Sequence, residues 1–177
     1  MKQLILLFSL LAIGCLYAQE NDQAATLTVA PPPPNCESEK YREFDFWIGE
    51  WTVYSGENIV GHNVIERMFD KCVLTEHWKG AQGSEGKSYN IYDRGYDRWH
   101  QTWVDASGNL LELDGAFTDG KMILSGKRPR QDGSSEAMHK ISWTPNEDGT
   151  VRQHWQVNRD GENWTTVFDG LYKKDHD

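Results

Sequence analysis

The chain has 177 residues, 27 acidic and 18 basic, with a formal net charge of −9. With 38% hydrophobic and 25% charged residues, it is neither a disordered polyelectrolyte nor a protein of several membrane spans, and the length fits one domain. The acidic balance argues against a nucleic-acid surface, which needs clustered Lys and Arg to replace phosphate counterions.

Residues 1–18 place one cation, Lys2, before the mostly apolar run Leu4 to Ile13 and a short stretch ending in Ala18. That layout predicts a secretory signal peptide cleaved after Ala18, too short to remain as a membrane span. A rival reading takes Gly14-Cys15 as a bacterial lipoprotein signal, although Ala12 stands where such signals usually carry Leu. Export places the mature chain in a secreted or periplasmic setting. There the remaining pair, Cys36 and Cys72, is expected to form one disulfide, with two buried thiols as the alternative. Residues 19–40 are polar and then proline-rich at 31–34, which predicts an extended spacer before a domain over 41–174.

"EKYREFDFWIG" at 39–49 has room for a helical turn or two. Short runs of β-branched and aromatic residues then follow, predicting strands at 50–54, 59–68, 72–79, 87–93, 98–105, 110–117, 121–126, 135–144, 151–158 and 164–172. The breaks, such as "SGEN", "ASGN", "TDG" and "NEDG", are rich in residues that tolerate the positive φ of tight turns. Ten strands on short loops favour neighbour-to-neighbour antiparallel pairing, and a sheet that long curls until its edges meet. The expected fold is all-β, a single up-and-down antiparallel barrel. A β-sandwich is the alternative, but it needs a long crossover that these hairpins do not supply.

Side chains alternate faces along a strand, so parity sorts them. One face carries Leu74, Glu76 and Trp78, then Trp99, Gln101 and Trp103, then His139, Ile141 and Trp143, then Val151, Gln153, Trp155 and Val157. The opposite face carries His77, Arg98, His100, Lys140, Arg152 and His154, which read as solvated. The tryptophan face is therefore the interior. Parity is less clear in "NLLELDGAF", where a bulge is expected to shift it.

The informative feature is polar residues among the inward tryptophans: Glu76, Gln101, Gln153 and His139. Burying an unpaired polar group costs on the order of 1–3 kcal/mol, so a solid core would use Leu or Val there. Aromatic walls with a few directed polar groups are the chemistry of a small-molecule pocket. The competing reading is a hydrogen-bond network or wetted core that holds no ligand. Ser88, Asn90 and Tyr92 share one face of the next strand and either contact a ligand or cap strand ends.

"FDFWIGEW" at 44–51 contains Gly49-Glu50-Trp51, which resembles the G-x-W opening of lipocalins and the related opening of fatty-acid-binding proteins. With "CVLTEHWKG", "GKSYNIYD", "RWHQTWVD" and "VRQHWQVNRDGENW", the chain from about Cys36 to Lys174 resembles an uncharacterised bacterial family of secreted calycin-like domains. The resemblance implies a calycin-type barrel in which Trp51 plugs the closed end, and it carries no agreed activity. Some calycin-like barrels hold haem, which needs an axial ligand facing a large apolar cavity. Only His139 has inward parity, and a lone histidine is more often a hydrogen-bonded wall residue, so no cofactor is expected. Without HExxH, CxxC or a close inward His pair, no metal site is expected either.

Three function classes follow. The first is a binding protein for a small amphipathic or aromatic ligand, contacted by Glu76, Trp78, Asn90, Trp99, Gln101, Trp103, His139, Trp143, Gln153 and Trp155. The second is a lyase, isomerase or hydrolase with Glu76 as acid/base, its pKa raised by burial, and His139 as partner. No nucleophile elbow, paired acidic motif or phosphate loop accompanies it. The third is an envelope or interaction module with a filled barrel.

Overall fold

A computed structural model describes residues 36–130, 133 and 135–175. The expected signal peptide, Cys15, the proline run and His176 lie outside the described residues. Among the described residues there are ten strands: β1 (Gly49–Ser55), β2 (Asn58–Met68), β3 (Val73–Gly80), β4 (Glu85–Asp93), β5 (Arg98–Asp105), β6 (Leu110–Thr118), β7 (Lys121–Pro129), β8 (Glu136–Pro145), β9 (Val151–Asn158) and β10 (Trp164–Lys174). Each pairs antiparallel with its neighbour in sequence, and β10 returns to β1 with Trp51 opposite Lys174 and Tyr54 opposite Leu171. The result is a closed up-and-down barrel with no free sheet edge.

Alternation sorts the two faces as the sequence predicts. Leu74, Glu76, Trp99, Gln101, Ile141, Trp143 and Gln153 are buried inside. On the outside, polar side-chain pairs span neighbouring strands: His77 with Glu85 at 2.6 Å, His100 with Asp114 at 2.8 Å, and the ion pair of Arg152 with Asp169 at 2.6 Å. The bulge expected in β6 is not there; Trp99 to Val104 pair with Gly115 to Leu110 without interruption. Register shifts fall instead in β2, where Val60 is the extra residue against β1, and in β10, where Val167 is extra against β9. Both sit near the same end of the barrel, and an extra residue bends its strand and increases the local twist.

The other end is plugged. The expected helical stretch folds as two 3-10 turns, Glu39–Arg42 and Asp45–Trp47, which direct Phe44 and Trp47 into the barrel. Phe44 stacks on Trp47 with centroids 4.9 Å apart, and Trp143 and Trp99 meet Phe44 edge-on at 5.2 and 5.7 Å. Trp51 is fully buried beneath this cluster and donates from Nε1 to the Trp47 carbonyl at 2.9 Å. Cys36 and Cys72 are disulfide-bonded. Arg42 donates to the carbonyls of Cys36 and Lys71, on both sides of that bridge. Residues 36–40, which composition assigns to the spacer, are thus held to the turn before β3. Their covalent tie outweighs their polar character.

Candidate functional site

Above the plug the barrel is hollow. A cavity of about 970 Å³ occupies the bulged end, at the upper bound of ordinary ligand pockets. It opens among exposed residues of the β1–β2 turn (Ser55, Asn58, Ile59) and the β3–β4 turn (Gln82, Ser84). Its walls are Trp78, Trp103, Trp155 and Phe168, with Leu111 and Ile141 deeper.

Two glycines let the wall indoles lie flat. A Cβ on Gly61 would sit 2.5 Å from Trp78 Cη2, and one on Gly86 would sit 2.5 Å from Trp103 Cη2. Each ring therefore covers bare backbone of an adjacent strand and leaves the lumen open. Trp78 is further held by Phe168 edge-on at 5.9 Å and by Ser84, which accepts from its Nε1 at 3.2 Å.

The floor is a continuous polar network across six strands. Gln101 Nε2 donates to Asn90 Oδ1 at 2.7 Å, and Asn90 Nδ2 donates to Ser88 Oγ at 2.9 Å. Ser88 Oγ donates to Glu76 Oε2 at 2.6 Å, while Asn63 Nδ2 donates to Glu76 Oε1 at 2.8 Å. The Asn63 amide also reaches Tyr172 Oη at 3.3 Å, and that hydroxyl donates to Gln153 Oε1. Burial pushes the Glu76 carboxyl above the usual carboxylate range, against the pull of the Ser88 and Asn63 hydrogen bonds. Burial, and then the nearby Glu76 charge, likewise hold the Tyr172 hydroxyl well above its ordinary value.

The residues singled out from sequence divide by height in the barrel. Glu76, Trp78, Gln101, Trp103, Gln153 and Trp155 all border the cavity. Asn90 belongs to the floor network without bordering the cavity, bonded to Ser88, to Gln101 and to the Leu74 carbonyl at 3.3 Å. Trp99 and Trp143 belong to the aromatic plug. Trp99 Nε1 donates to Glu43 Oε2 at 3.0 Å. Tyr92 meets Trp99 there and donates from its hydroxyl to Asp97. His139 is half-buried and accepts at Nδ1 from Trp155 Nε1 at 3.1 Å, orienting that wall indole without bordering the cavity itself. A haem in this cavity would therefore find no histidine among its lining residues. Among the described residues no group of three or more His, Cys, Asp or Glu is placed to hold a metal ion.

Asn63 and Tyr172 escaped the sequence reading although they complete the floor. The signal was present: Asn63 shares parity with Gly61 and Ile65 in β2, and Tyr172 with Gly170 in β10. Compared with known proteins, the chain matches no family model and no curated protein.

Proposed function

We propose that this protein is a secreted or periplasmic carrier of the calycin-like type, holding a small amphipathic or aromatic ligand inside the barrel. The observation that carries the reading is the pairing, in one open cavity of about 970 Å³, of flat indole walls with a buried carboxylate–amide floor. A filled structural core would not keep Glu76, Gln101 and Gln153 at 5%, 2% and 8% exposure beneath open space. The closed ten-strand topology, with Trp51 beneath the plug after "FDFWIGEW", supports the calycin part of the reading.

The test is native mass spectrometry of the protein purified from its own host, followed by titration of the released compound into emptied protein. A retained compound that shifts tryptophan emission and raises the melting temperature is the expected result. Unchanged emission and melting across lipids, aromatics, amines and short saccharides would overturn the carrier reading.

A further inference from the structure

The charge distribution of the cavity narrows the ligand further. Among the described residues that line it there is no Lys, Arg or His. The two carboxylates that border it differ in their partners. Asp169 is held from outside by Arg152, through Nε at 2.8 Å and Nη2 at 2.6 Å. Glu76 has only neutral partners, Asn63 from β2 and Ser88 from β4, with Tyr172 of β10 as the ionisable group nearest across the Asn63 amide.

Those partners have a direction. Ser88 Oγ accepts from Asn90 at 2.9 Å and from Gln101 at 3.5 Å, which takes up both of its acceptor sites, so its own proton goes to Glu76 Oε2. Asn63 offers an N–H to Oε1. Both oxygens of Glu76 thus act as acceptors, the pattern of an ionised carboxylate rather than a carboxylic acid. A buried anion held only by neutral donors lacks the counter-charge that buried carboxylates ordinarily find. The open side of this one is the cavity, whose walls are indoles, and the faces of indole rings attract cations.

Building on the carrier reading, we infer that the ligand bears a protonated amine on an apolar body, its ammonium seated on Glu76 and its body between Trp78, Trp103 and Trp155. A carboxylate ligand such as a free fatty acid meets the opposite field, with no cation in the lining to receive it.

Three fluorescent probes test this: dansylcadaverine, its carboxylate-ended counterpart and its methyl-ended counterpart, which share one aromatic body and differ in the end group. Each is titrated into the mature protein and followed by dansyl emission. The ammonium probe is expected to bind about tenfold or more tighter than the methyl-ended one, with the carboxylate probe weakest. In Glu76→Gln the preference for the ammonium probe over the methyl-ended one disappears. Equal binding of the ammonium and methyl ends, a carboxylate probe as tight as the ammonium, or a preference that survives Glu76→Gln would each overturn the amine assignment and leave the carrier reading standing. Failure of all three probes to bind would overturn both. Should Glu76→Gln fail to fold, the ranking in the wild-type protein decides.

Discussion

Trp51 Nε1 donates to the main-chain carbonyl of Trp47 at 2.9 Å, so the first strand is bonded to the 3-10 turn that closes its own barrel. The contact lies four residues apart in sequence, and both side chains are fully buried. The plug is therefore a local structure that the barrel wraps. Replacing Trp51 by Phe leaves the Trp47 carbonyl without its donor and thins the packing. A loss of about 1–3 kcal/mol is expected, read as a lower urea midpoint with an unchanged slope.

The disulfide ties the plug to the turn before β3, closing a sequence separation of 36. In the chain-entropy treatment a loop of that length stabilises the fold by about 4 kcal/mol. Cys36→Ser with Cys72→Ser should lower the denaturation midpoint accordingly. The same midpoint in the double variant as in the oxidised wild type would show that the plug holds without its covalent tie.

Glu76 makes stability depend on pH in a defined sense. Its carboxyl is raised by burial above the ordinary value of 4.5. Between that value and the raised one the folded state binds more protons than the unfolded chain, so this group's contribution falls as pH rises through the window. Glu76→Gln has no such titration. Measured from pH 4 upward, the stability of the variant relative to wild type should climb with pH. A relative decline would mean that the Ser88 and Asn63 donors outweigh the burial of the charge.

The indole-over-glycine contact sets the width of the cavity. Gly86→Ala places a methyl against the Trp103 ring and drives that ring toward the lumen. Overpacking of this kind costs about 1–3 kcal/mol, and probe binding should weaken at the same time. Adding Trp103→Leu to Gly86→Ala relieves the ring contact but not the one with the Val104 carbonyl at 2.8 Å, so stability should recover only in part and the aromatic wall not at all. Unchanged binding in Gly86→Ala alone would show that Trp103 does not face the ligand.

His139 is held neutral, first by burial and then by the Arg128 and Arg159 charges, which lower its pKa from the ordinary 6.5. Its stabilising contribution is present above the unfolded value and is lost as pH falls through the lowered one. Proton NMR should place its titration midpoint below 6.5. A midpoint above that value would show that burial and the Arg128 and Arg159 charges do not set its titration.

The fold was legible because its information is local. Turn residues and two-residue alternation place strand limits within a few residues, as for 98–105 and 151–158, which match β5 and β9. Tryptophan parity identifies the interior. Depth within the interior was not legible. Trp99 and Trp103 share one face of one strand, yet Trp99 packs into the plug and Trp103 walls the cavity. Four residues of extended chain separate them by about 13 Å, and parity is blind to that distance.

The sequence by itself determined ten strands, their inward faces and the mixture of indoles with a carboxylate and amides on those faces. Each of these is set by a residue and its near neighbours. Only the tertiary structure decided which inward residues meet. Strand register sets the height of every side chain along the barrel, and the Phe44–Trp47 plug fills one end and leaves the other hollow. That is how Glu76 comes to lie with Asn63, Ser88, Gln153 and Tyr172 beneath open space. Five residues on five strands become neighbours only when the sheet closes.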